Sequence, residues 1–174
     1  MGPYSKYASS SSQIIVSSSP DVAAILRDAG FRVSSVRDMD SWLRRHAVFV
    51  TAVSGALYEV GGDAHRLSSD RARIQAFIVA IRDGWAAMDR CDVASAPLAL
   101  RAIFQWVPLP FAVLYWKRLL ASPRGEYYFA RHTRHAPKEM AALAADVRGL
   151  VPIDASPQLQ RLYAAIDRAA ASVS

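Results

Sequence analysis

The sequence predicts a mainly α-helical protein, in which a multi-helix bundle follows a small β-α-β unit. Apolar residues recur at three- and four-residue spacing from Asp38 to Val60 and again from Asp70 to Met88, as in helices with one buried face. Short apolar runs suited to strands occur before Asp38. The 174 residues are the size of one domain, and an apolar fraction of 52% indicates a sizeable core.

The β-α-β unit is expected at residues 13–37. Residues 1–12 are polar and serine-rich, which predicts a disordered lead-in or a cloning remnant. An apolar run at residues 14–16 predicts a strand, and Ser19-Pro20 is typical of a helix start. The apolar stripe of that helix is Val22, Ile25 and Leu26, Gly30 ends it, and residues 31–36 predict a second strand. Two strands are too little sheet to be stable alone.

About six helices are expected over residues 38–174. Asp38 or Asp40 can cap the first long helix, which Gly61-Gly62 ends, and Asp70 can cap the second. Three further helical segments follow. The first begins at Ala96-Pro97 and is broken by Pro108 and Pro110 before Phe111. The second runs from Pro137 to the stops at Gly149 and Pro152, and the third begins at Ser156-Pro157.

The net charge of +6 and the pI near 9.8 are compatible with a nucleic acid, an anionic membrane or a phosphate-bearing ligand. The basic residues are spread along the chain without a run of like charges, which favours solvated helix faces and neither nucleic-acid nor membrane binding. The charge-free segment at residues 102–116 is too short to span a bilayer. A single cysteine, Cys91, excludes an intramolecular disulfide and favours the cytoplasm.

Few residues are arranged for chemistry. The glycines form neither a dinucleotide-binding nor a Walker loop. His132, His135 and Glu139 have the spacing of a metal site on one helix, but Pro137 interrupts that helix, so no metal is expected. His46 lies on an apolar stripe, where a histidine is usually a satisfied core or interface residue.

Two other positions carry charge that could bind a ligand. Glu139 follows Pro137 in a first helical turn, where the helix dipole alone stabilises a carboxylate. Arg44 and Arg45 could bind an anion or simply face water, and composition does not distinguish the two.

Several segments, read in order, resemble the ketopantoate reductases (2-dehydropantoate 2-reductases). They are LRDAGFRV at residues 26–33, DMDSWLRRH at 38–46, YEVGGD at 58–63, AIRDG at 80–84, LP at 109–110 and HAPKEM at 135–140. The resemblance runs from about Pro20 to Arg168, and its weight comes from order and spacing together.

The resemblance implies the C-terminal half of a cytoplasmic, NADP-dependent oxidoreductase of pantothenate biosynthesis. Residues 13–37 would be the end of the nucleotide-binding domain. Residues 38–174 would be the substrate and dimerisation domain, with the fold of the 6-phosphogluconate dehydrogenase C-terminal domain. The substrate would be a 2-keto acid and the assembly a homodimer. NADPH is implied for a full-length relative, whereas this chain holds no cofactor site and is expected to be inactive alone.

The resemblance also implies two catalytic positions. Arg44 matches a lysine that polarises the substrate ketone and supplies a proton, and Glu139 matches a glutamate that hydrogen-bonds the substrate hydroxyl. A one-residue shift would exchange Arg44 for Arg45. Because a guanidinium stays protonated, Arg44 can clamp a carboxylate but is a poor proton donor.

The alternative hypothesis is a non-enzymatic helical module for dimerisation or interaction. Exposed aromatic surface would support it, for example around Trp106, Phe111, Tyr115 and Trp116, where core packing is the favoured interpretation. The unpaired strand edges of the β-α-β unit also predict a homodimer or a strand exchange.

Overall fold

A computed structural model of the chain describes residues 14–90, 101–150 and 156–173. These residues are mainly helical with one two-stranded sheet, which confirms the predicted class. The elements in chain order are β1 (Ile15–Ser17), α1 (Pro20–Asp28), β2 (Val33–Ser35), α2 (Met39–Tyr58), α3 (Ala64–Ser69), α4 (Arg71–Asp89), a first π-helical segment (Ala102–Trp106), α5 (Leu109–Ala121), α6 (Pro123–Gly125), a second π-helical segment (Glu126–Ala130), α7 (Arg131–His135), α8 (Pro137–Leu150) and α9 (Pro157–Ala171).

The β-α-β unit, which comprises β1, α1 and β2, forms as predicted. The two strands are parallel, with Ile15 opposite Val33, and their main contacts and those of α1 lie within the unit. Gly30 follows α1 with a φ of 86°, a conformation that favours glycine. The predicted stripe of α1 is only partly covered, because Ile25 remains 68% exposed and Val22 48% exposed. Two strands are too narrow to cover the helix.

Side chains at the predicted positions cap the long helices. The Asp38 carboxylate accepts a hydrogen bond from the Ser41 N–H at 3.0 Å, so Asp38 rather than Asp40 begins α2. Asp70 caps α4 in the same way through the Arg73 N–H, and Ser156 caps α9 through the Leu159 N–H. Gly61 follows the end of α2 with a φ of 75°. The predicted caps of the long helices and the predicted glycine stop after α2 are therefore confirmed.

Three features differ from the predictions. α3 lies between Gly62 and Asp70, where no element was predicted. α5 begins at Leu109, so Pro110 lies in its first turn, where the missing N–H has no helical partner to lose. Gly149 lies inside the last turn of α8 and does not end it. The expected helix start at Ala96-Pro97 and the stop at Pro152 lie outside the described residues.

The core of the bundle is formed by α2, α4 and α9, with α5 packed on α3 and α4 and α8 packed on α2 and α9. A Cβ atom at Gly55 of α2 would lie 2.6 Å from the backbone oxygen of Leu162 of α9, so this glycine sets the close approach of the two helices. The largest fully buried apolar side chains are aromatic: Phe77, Trp85, Phe104, Trp116 and Tyr163.

Candidate functional site

Arg44 and Arg45 have different surroundings. The side chain of Arg45 is 2% exposed and forms an ion pair with Asp89 of α4. It also donates a hydrogen bond to the carbonyl oxygen of Trp85, at 3.4 Å. The side chain of Arg44 is 38% exposed and pairs with Asp40 one turn earlier, at 2.7 Å. Arg45 therefore belongs to the core, and Arg44 is the member of the pair that a ligand can reach.

Arg44 lies at a cavity between α2 and α8, here called the α2–α8 cavity, of about 280 Å³. Its charged groups are Arg44 on α2 and Asp146 on α8. The rest of the lining is almost entirely apolar: Leu43, Ala47, Val50, Leu143, Val147 and Leu150, together with His46. The cavity suits a small ligand with an apolar body and one charged group.

Glu139 lies away from this cavity. It is exposed in the first turn of α8, whereas the residues of α8 that line the cavity lie between Leu143 and Leu150. Ser54 Oγ lies 3.4 Å from Met140 Sδ, so the start of α8 lies beside Ser54. Ser54 follows Arg44 on α2 by about 15 Å of helix rise. The structure does not bring Arg44 and Glu139 together.

His46 also lines a second cavity. This α2–α7 cavity has a volume of about 430 Å³ and is lined by α2, the second π-helical segment and α7. Besides His46, its polar lining residues are Ser54, Tyr128, His132 and Thr133. Its apolar wall consists of Phe49, Val50, Val53 and Phe129. His46 lines both cavities, so a ligand in either one would meet the same imidazole.

The imidazole of His46 is stacked on the indole of Trp42, with the ring centres 4.8 Å apart. Its Nδ1 is buried and has no hydrogen-bond partner in the described part of the chain. Burial lowers the pKa of His46 below its usual value of 6.5, because the charged form loses water. Within the described residues, Nδ1 therefore lacks the partner expected of a satisfied core histidine. A neutral imidazole with its proton on Nε2 leaves no buried N–H unpaired.

The suggested metal set is divided between two helices. α7 ends at His135 and α8 begins at Pro137, so His132 and His135 belong to a different helix from Glu139. Among the described residues, no three His, Cys, Asp or Glu side chains are grouped so that they could hold a metal ion. Cys91 lies outside the described residues.

The aromatic cluster expected to pack in the core is only partly buried. Trp116 is 1% exposed, but Trp106 is 61%, Phe111 65% and Tyr115 46% exposed. Core packing is thus correct for Trp116 and wrong for the other three, which form surface on and beside α5. The apolar composition of α5 indicates that the helix has two apolar faces. It does not indicate which of the two faces the bundle covers.

Two further observations bear on function. Over the described ranges, each helix is too short or too polar to cross a lipid bilayer. No family model, curated protein or solved structure matches this chain.

Proposed function

We propose that this chain is the helical substrate-binding and dimerisation part of an NADP-dependent oxidoreductase of the ketopantoate reductase type, acting on a 2-keto acid. The observation that carries the proposal is the β-α-β unit, whose parallel strands lead directly into a helical bundle that begins at Asp38. Parallel sheets are normally larger and covered on both faces. The uncovered Ile25 and Val22 of α1 are what the last β-α-β unit of a larger parallel sheet would show.

The keto acid would bind in the α2–α8 cavity, with its carboxylate on Arg44. A guanidinium offers two parallel N–H donors to a carboxylate, and only an exposed ion pair with Asp40 would have to be exchanged. The apolar wall would hold the carbon chain, and the neutral imidazole of His46 could donate a hydrogen bond to a ligand oxygen. Asp146 disfavours an anion near its side of the cavity, so the carboxylate is expected at the Arg44 end.

Four parts of this hypothesis stay predictions. The hydrogen bond from Glu139 to the substrate would need a ligand or a movement that spans about 15 Å along α2. The likeness of the bundle to the 6-phosphogluconate dehydrogenase C-terminal domain and the cytoplasmic location belong to the same proposal. NADPH would be held by a glycine-rich loop of a nucleotide-binding domain, and no such loop occurs in these 174 residues.

A fluorescence titration tests the proposal, since Trp42 stacks on His46 beside the cavity. We expect 3-methyl-2-oxobutanoate to change the emission of the chain and its methyl ester to have little effect. The change should be absent from Trp42→Phe, which assigns it to this indole. Arg44→Met should weaken binding about tenfold or more, as for loss of a charged hydrogen bond. Arg71→Met, at an exposed arginine of α4, is the matched control.

NADPH added alone should leave the emission unchanged. Equal binding of the acid and its ester, or equal binding by wild type and Arg44→Met, would contradict the role of Arg44. Micromolar NADPH binding would contradict the assignment of the chain to a part without the cofactor site.

A non-enzymatic interaction module is the second candidate function. The specific observation in its favour is the exposed aromatic surface of Trp106, Phe111 and Tyr115. Large exposed apolar patches on soluble proteins commonly mark interaction sites. A module of this kind would need a partner that covers these rings.

A further inference from the structure

We infer that the exposed side of α5 is a docking surface for an acidic amphipathic helix of another protein. This surface, here called the α5 face, consists of Phe111, Leu114, Tyr115 and Arg118. The inference names the partner of the second candidate function and does not depend on the keto-acid proposal.

The α5 face exists because α5 is apolar on two sides. Val113, Trp116 and Leu120 are buried against the bundle. Phe111, Leu114 and Tyr115 follow a separate three- and four-residue spacing and remain more than 40% exposed. A helix that is apolar on both sides is normally covered on both. The bundle covers one side, so the other is left for a partner.

Charge indicates the chemistry of the partner. The sequence has no Asp or Glu between Asp92 and Glu126, while Arg101, Lys117, Arg118 and Arg124 lie in this stretch. Lys117, Arg118 and Arg124 are exposed beside the apolar residues of α5 and the turn that follows it. Acidic side chains at the edges of the partner would complement these cations and speed association.

Shape distinguishes the possible occupants. A shallow depression of about 710 Å³ lies along the α5 face, and Leu119, Pro123 and Arg124 also line it. A concavity suits a protruding leucine or phenylalanine of a helix, as in helix-in-groove recognition, better than it suits a flat membrane. A two-fold dimer through this face would bring two sets of cations together with no carboxylate on the α5 face to balance them, at an electrostatic cost. These observations favour an acidic helix.

Fluorescence anisotropy tests the inference with a labelled synthetic helical peptide that has leucine and phenylalanine on one side and glutamate on the other. We expect micromolar binding that weakens as salt is raised, and no binding of the same peptide with lysine in place of glutamate. Phe111→Ala combined with Tyr115→Ala should weaken binding about tenfold or more, as for central interface aromatics. Arg118→Gln should weaken it and reduce its salt dependence.

Two matched controls should bind like wild type: Phe31→Ala, which removes an exposed aromatic of the β-α-β unit, and Arg71→Gln, which removes an exposed cation of α4. All substituted side chains are exposed, so circular dichroism should show unchanged folding. Equal binding of the glutamate and lysine peptides, or full binding by the α5 double variant, would overturn the inference. Binding to phosphatidylserine vesicles in place of the peptide would also overturn it, and so would self-association of the wild-type protein that the α5 double variant abolishes.

Discussion

The indole Nε1 of Trp85 donates a hydrogen bond to the backbone oxygen of Arg45, at 3.0 Å, and the Arg45 guanidinium lies 6.0 Å from the centre of the same indole. The guanidinium also donates a hydrogen bond to the backbone oxygen of Trp85. Each residue thus supplies a partner to the other, and Asp89 balances the charge. A buried arginine is tolerated here because its donors have acceptors.

Arg45→Met should lower the free energy of unfolding by about 1 to 3 kcal/mol, since the buried hydrogen bond to the Trp85 carbonyl and the ion pair with Asp89 are both lost. The neighbouring Arg44→Met should cost less than about 0.5 kcal/mol, because it removes only an exposed pair within one helix. Urea unfolding followed by circular dichroism measures both. Equal losses in the two variants would contradict the assignment of Arg45 to the core.

Gly55→Ala should destabilise the bundle by about 1 to 3 kcal/mol, because the added methyl group would meet the backbone of Leu162 and separate α2 from α9. Gly149→Ala is the matched control within α8, where a Cβ meets no atom within 4 Å. It should stabilise by about 0.5 to 1 kcal/mol through helix propensity. Thermal unfolding of the two variants should shift in opposite directions, and a shared direction would contradict the close packing at Gly55.

The stability of the protein should fall as the pH decreases below about 6.5, because the lowered pKa of His46 lets the unfolded chain take up a proton first. Between the pKa values of His46 in the unfolded and folded states, the free energy of unfolding should fall by at most about 1.4 kcal/mol per pH unit. Arg44, Asp146, Tyr128 and His132 are the other charged or titratable residues that line the two cavities with His46. His46→Phe should flatten the dependence, and His65→Gln on α3 should retain it. A wild-type slope in His46→Phe would place the titrating group elsewhere.

The uncovered side of α1 should support self-association. Val22→Glu with Ile25→Glu places charge on the exposed apolar residues and should lower the dimer fraction in sedimentation equilibrium, with the helix content unchanged. Ala24→Glu adds a charge to α1 away from the large apolar side chains and should have a smaller effect. Identical molecular masses for wild type and the double variant would remove α1 from the interface.

Local chemistry explains which features the sequence predicts. The caps at Asp38, Asp70 and Ser156 depend on residues three positions apart, and all three are formed. The sequence alone does not show which of Arg44 and Arg45 is buried. Adjacent helical residues point about 100° apart, and the position of α4 decides which of the two side chains is covered. The cavities beside His46 depend on α7 and α8, which lie far along the chain. The exposure of Phe111 likewise depends on which side of α5 the bundle covers.

The β-α-β unit has a consequence for how folding of this protein is measured. Two three-residue strands and one short helix, in contact mainly with one another, hold few backbone hydrogen bonds that depend on the bundle. Such a unit opens locally at low free energy while the rest of the molecule stays folded. Its amides should exchange with deuterium well before those of α2 and α4, and a protease should cut there first. The far-ultraviolet signal, dominated by the bundle, would report a single cooperative transition and would not reveal this earlier opening.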